Sequence, residues 1–123
     1  MEYLLDSYAW LEYFGNNADY APFVEGKKGG VPYTAASSLA EVVRVLVRRK
    51  LDKKDVLRAV QFVRDKSIVL PLESENAVAA GFLAEEFGLH FSDALIYSFA
   101  GKNRRLVTGD PHFKKLANVE FIE

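Results

Sequence analysis

Two hydrophobic rhythms alternate along the chain. Short apolar or β-branched runs, Tyr3 to Leu5, Val31 to Ala35, Ser67 to Leu70, Arg105 to Thr108 and Val119 to Ile122, read as strands. Between them, apolar residues return at helical spacing. Ser7 to Phe14 reads as a helix broken at Gly15 and the Asn16-Asn17 pair, and Asp19 to Glu25 as a second, short one ending near Gly26. Leu39, Val42, Val43, Leu46 and Val47 follow i, i+3, i+4, i+7 and i+8, which predicts a helix over 39–50 with that row inward. Asp52 caps the next helix, whose inward positions are Val56, Ala59, Val60 and Val63. Ser74 caps another, with Ala77, Val78, Gly81, Leu83 and Ala84 inward and its end at Gly88. Ser92 or Asp93 caps one more, through Leu95, Ile96 and Phe99, and Pro111 to Leu116 forms a last short helix.

Strands that alternate with helices predict an α/β fold, three layers (α/β/α) around a mostly parallel central sheet. The length fits one domain over residues 1–123, and no repeat, low-complexity tract or linker divides it.

Four acidic residues stand where a strand or loop gives way to a helix: Asp6, Glu41, Asp93 and Asp110. In an open parallel sheet the strand ends share one edge, and ligands bind there. Each acid also has an ordinary helix-terminus role. Asp6 and Asp110 suit N-caps, Ser38 with Glu41 fits a capping box, and Asp93 suits a cap or a first-turn acid. Side chains that cap helices on one edge converge whatever their purpose, but four carboxylates brought together repel one another. A divalent cation would hold them, with Thr108 adding a hydroxyl on the strand before Asp110.

Composition narrows the choice of cation. The chain has no cysteine, which excludes disulfides, zinc–cysteine sites and thiol catalysis, and only two histidines, His90 and His112. A hard cation bound by oxygen is therefore expected, with both histidines read as surface or supporting groups. The net charge is −1, yet setting the four acids aside leaves sixteen basic against thirteen acidic residues, a surface compatible with phosphate. No apolar run approaches the roughly 20 residues of a membrane span. The opening Met1-Glu2-Tyr3 carries no basic leader, so a cytoplasmic location is expected.

Leu5-Asp6-Ser7, Ser37-Ser38-Leu39-Ala40-Glu41-Val42, Ser92-Asp93-Ala94-Leu95-Ile96 and Leu106-Val107-Thr108-Gly109-Asp110 occur in that order across the whole chain. In order, spacing and total length the chain resembles the PIN domain, and within it the small VapC-type ribonuclease toxins. The resemblance implies that Asp6, Glu41, Asp93 and Asp110 surround one or two Mg²⁺ or Mn²⁺ ions, with Ser7 and Thr108 as assisting hydroxyls. It further implies a homodimer held silent by an antitoxin. Tyr97 and Phe99 depart from the pattern, standing where small residues are more usual.

The chemistry so implied is hydrolysis of an RNA phosphodiester leaving a 5′-phosphate and a 3′-hydroxyl. Two histidines offer little support for a 2′-hydroxyl attack. Basic residues gather at Arg44, Arg48, Arg49, Lys50, Lys53 and Lys54, and again at Lys102, Arg104 and Arg105. Most such runs are solvated helix faces. Arg44 is singled out for RNA phosphate, because it lies one turn after Glu41. An aspartyl phosphatase would want an acid at Tyr8, and a receiver domain an acidic pair after the first strand, so neither fits. A non-catalytic RNA-binding or assembly module is the competing reading. Tyr8, Trp10, Leu11, Tyr13 and Phe14 crowd the first helix beyond what one buried face needs, which suggests a partner groove or dimer surface.

Overall fold

Alternation within two strands divides the core in two. Leu4 and Leu5 end β1 (Glu2–Leu5) and are both fully buried, but successive side chains of a strand point to opposite faces. Leu5 joins a cluster with Ala9, Trp10, Phe23, Val42, Leu46, Val56 and Val63, while Leu4 joins Ala35, Ile96, Tyr97 and Phe113. In β4 (Arg104–Thr108), Leu106 and Val107 divide in the same way, and the register sets them beside Leu4 and Leu5.

The computed structural model describes all of residues 1–123. With β2 (Tyr33–Ala35), β3 (Ile68–Leu70) and β5 (Val119–Phe121), the strands form one sheet in the order β3-β2-β1-β4-β5, every pairing parallel. One face is covered by α1 (Ser7–Phe14), α2 (Ala21–Val24), α3 (Ala36–Arg48) and α4 (Lys53–Lys66). The other carries α5 (Ser74–Phe87) and α6 (Phe91–Tyr97). This is the three-layer α/β/α arrangement that the sequence pattern predicts. No helix is long and apolar enough to cross a membrane.

Buried polar groups tie the first layer to the sheet. The Trp10 Nε1–H donates to Thr34 Oγ1 at 3.0 Å, Thr34 donates to Ser67 Oγ at 2.8 Å, and Ser67 donates to the Val63 carbonyl at 2.6 Å. The chain of bonds satisfies three buried donors that would otherwise each cost about 1–3 kcal/mol. The unusual Tyr97 is accommodated in a similar way. Its hydroxyl donates to the Ala117 carbonyl at 2.6 Å, and its ring meets Phe87 edge-on at 5.9 Å.

Several local expectations are corrected. The third helix begins at Ala36 rather than Leu39, with Ala35 as a cap that makes no side-chain bond. No Ser38–Glu41 capping box forms, and Glu41 lies in the second turn. Its buried row is Ser38, Val42 and Leu46, whereas Val47 is 54% exposed. Neither Ser92 nor Asp93 caps α6, because the helix starts at Phe91 after His90, and Asp93 is a first-turn acid. Glu73, not Ser74, precedes α5, and Val78 faces outward. The second helix is trimmed to Ala21–Val24 and the last to a 3-10 turn, Pro111–Phe113. Asp52 caps α4 as expected, accepting from the Asp55 amide.

Candidate functional site

From β1 the sheet continues through β2 to one edge and through β4 to the other, so strand order reverses between β1 and β4. Crevices at such a reversal, beyond the carboxyl ends of the strands, are where ligands bind in open α/β sheets. Asp6 directly follows β1, and Asp110 follows β4 by two residues. The two remaining acids come from the facing helices, Glu41 from α3 and Asp93 from α6, which pack against each other.

Asp6 is the anchor of the site. It is 3% exposed, and its Oδ1 accepts the Ala9 amide at 2.8 Å, capping α1. Its Oδ2 accepts the Thr108 hydroxyl at 2.5 Å, and that hydroxyl oxygen accepts the Asp110 amide at 3.0 Å. Thr108 therefore links the ends of the two central strands. Asp110 caps the 3-10 turn, its Oδ1 accepting the His112 amide at 3.0 Å.

Three of the four acids have raised pKa values, and the charge of Asp110 contributes to each. Burial pushes the Asp6 carboxyl from its ordinary 3.8 up to about 7 despite the two donors, and the charges of Asp110 and Glu41 push the same way. Glu41 is raised by burial, then by Asp93 and Asp110, with Arg44 acting against them. Asp93 is raised by burial and Asp110, and held back by His112 and His90. The donor set is hard oxygen, suited to Mg²⁺ or Mn²⁺. One observation tests that fit. Glu41 Oε1 is buried without any hydrogen-bond partner. An orphaned carboxylate oxygen among other acids has no protein group to satisfy it, and a cation is a group that would.

A PIN domain family model matches residues 3–119 of the chain. The chain belongs to the PIN domain family. Solved structures agree on the fold. A toxin–antitoxin complex from Klebsiella pneumoniae superposes with a TM-score of 0.76 at 16% identity, over 97% of this chain and 96% of that one. VapBC2 from Rickettsia felis, bound to a DNA fragment from its promoter, gives 0.74 at 21% identity over 99% and 98%. DNA-bound VapBC from Salmonella typhimurium gives 0.76 at 16% identity over 99% and 97%. No curated protein matches the sequence.

In this PIN domain the other expected residues occupy distinct places. Ser7 opens α1, half-buried beside Asp6, and Thr108 is fully buried. Arg44 is exposed, one turn beyond Glu41 and near enough to lower its pKa. The first-helix aromatics divide between core and surface. Trp10 is fully buried, while Tyr13 stacks on Phe62 at 5.9 Å and with Phe14 and Ala21 lines an open groove. His112 stands closer to the acids than its sequence position suggests. Its ring Nδ1 lies 2.8 Å from Asp110 Oδ1. The only sequence signal for this was Asp110-Pro111, a turn start that carries the residue two positions on back toward its cap.

Proposed function

We propose that the chain is a divalent-cation-dependent endoribonuclease that hydrolyses RNA phosphodiester bonds, acting in the cytoplasm as the toxin of a toxin–antitoxin pair. The observation that carries this reading is the convergence of Asp6, Glu41, Asp93 and Asp110 at the reversal of strand order, with one Glu41 oxygen buried and unsatisfied. These four side chains would hold Mg²⁺ or Mn²⁺. When bound, such a cation makes a water more acidic and offsets negative charge on phosphate oxygens.

The chain's own residues orient and recognise. Thr108 and the Ala9 amide fix both oxygens of Asp6, and each oxygen keeps a lone pair for a further partner. The His112 amide holds Asp110 at the mouth of the crevice. Arg44 offers a planar guanidinium to a backbone phosphate beside Glu41, and Ser7 offers a hydroxyl next to Asp6.

Two apolar surfaces suit the protein partners of such a toxin. The groove lined by Tyr13, Phe14, Ala21 and Phe62 suits an apolar antitoxin segment. Val78 and Phe82 lie one turn apart on α5 and are 62% and 74% exposed, and Phe91 opens α6 at 73%. The exposed Val78 and Phe82 of α5 suit a second copy of the chain, giving a homodimer.

Incubation of a mixed RNA pool with Mn²⁺, Mg²⁺ or EDTA tests the reading. Cleavage is expected with either cation, is absent in EDTA, and is absent from Asp93→Asn even with cation. RNA binding without cleavage under every condition would replace the enzyme with a non-catalytic RNA-binding module.

A further inference from the structure

His112 contributes only its backbone amide to the reading above, yet its side chain is placed as if it had more to do. The ring is 62% exposed, so no burial forces it inward. Even so, Nδ1 lies 2.8 Å from Asp110 Oδ1 and 3.8 Å from Asp93 Oδ2. One ligating atom from each of Asp93, Asp110 and His112 falls within a 4.8 Å span, a separation that one cation can bridge. The backbone encourages this pose, because the His112 amide bonds back to the Asp110 carboxylate and sets the two side chains on the same side of the turn. His90, which precedes α6, meets the His112 ring edge-on at 6.0 Å.

We infer that His112 donates an imidazole nitrogen to the same cation as Asp93 and Asp110, and that this ligand makes the site select Mn²⁺ over Mg²⁺. The inference rests on the cation-dependent nuclease reading and adds to it a determinant of metal choice. Mg²⁺ is served best by oxygen alone and gives up its waters reluctantly. Imidazole favours transition-metal ions, so a mixed nitrogen–oxygen set moves the preference toward Mn²⁺. The competing role is a hydrogen bond from Nδ1–H that orients Asp110 without touching the metal. The two roles differ in one respect: only a bound imidazole couples its nitrogen nucleus to the Mn²⁺ electron spin.

Pulsed electron paramagnetic resonance of the full chain loaded with Mn²⁺ reads that coupling directly. Wild type and His90→Ala should show nitrogen modulation, while His112→Ala and His112→Gln should not. The Gln variant keeps an N–H donor near Asp110, so loss of signal there separates ligation from orientation. In parallel titrations, both His112 variants should weaken Mn²⁺ binding by about tenfold while Mg²⁺ binding moves much less. Mn²⁺ bound without nitrogen modulation in wild type, or modulation that survives in His112→Ala, overturns the His112 assignment and leaves the carboxylate site standing. Absence of any Mn²⁺ binding overturns both.

Discussion

Replacing Asp6 with Asn should make the cation-free protein more stable at pH 8 and leave it nearly unchanged at pH 4. A buried carboxyl that titrates near 7 rather than 3.8 costs about 4 kcal/mol to ionise in place. The sign follows from the raised value. Below pH 3.8 the carboxyl is protonated in folded and unfolded chains alike, and no cost is present. As pH rises toward 7 the unfolded chain ionises first, so stability drains away, and above 7 the full cost remains. Asn removes that charge and keeps an oxygen for the Ala9 amide. It also turns an N–H toward Thr108 Oγ1, which already accepts from Asp110, and the threonine proton loses its acceptor. Below pH 7 the protonated wild-type carboxyl faces the same mismatch, and the value of about 7 already includes the Thr108 bond that the ionised form keeps. The balance is a gain of up to about 4 kcal/mol at pH 8, roughly 16 °C in Tm for a chain of this size, and little change at pH 4. Calorimetric melts in EDTA at the two pH values measure it. With millimolar Mn²⁺ the order at pH 8 should reverse, because wild type gains binding energy that the variant has lost. An Asp6→Asn protein less stable than wild type by the same amount at both pH values would show that burial does not strain this carboxylate.

Gly109 is buried between Thr108 and Asp110, and an added Cβ would meet the Tyr20 hydroxyl, Tyr8 Cε1 at 2.6 Å and the Ile122 carbonyl at 3.0 Å. Gly109→Ala should therefore lose about 1–3 kcal/mol in a denaturant melt and weaken Mn²⁺ binding, and unchanged values would show that the tyrosines move aside freely. Arg44→Ala should lower the slope of log affinity for RNA against log salt by about one, whereas equal slopes would remove Arg44 from the phosphate interface. Phe82→Glu should shift the protein to monomer in sedimentation while its melt changes little, and a variant as dimeric as wild type would place the second copy elsewhere.

The central pair of strands was readable because both steps of the pleat are filled. Leu4-Leu5 and Leu106-Val107 are apolar on consecutive positions, as a strand buried on both faces requires, and each leads to an acid at its end. Helix starts were less readable where no side chain caps them. Ala35 and His90 precede α3 and α6 without a side-chain bond, so the nearby Ser38, Ser92 and Asp93 drew the expected boundaries inward. Val47 and Val78 have the right spacing for a core, but tertiary packing leaves both outside. The place of His112 was the least legible, because it depends on how one 3-10 turn aims a side chain after Pro111.

The chemistry of the RNA ends made by the protein tests the account most directly. End-mapping of a labelled RNA after incubation with Mn²⁺ should find 5′-phosphate and 3′-hydroxyl products, as expected when the attacking group is water rather than the ribose 2′-hydroxyl. The same products should be missing in EDTA and from Asp110→Asn. Cleavage that persists in EDTA, or that leaves 2′,3′-cyclic phosphates, would contradict a cation held by Asp6, Glu41, Asp93 and Asp110.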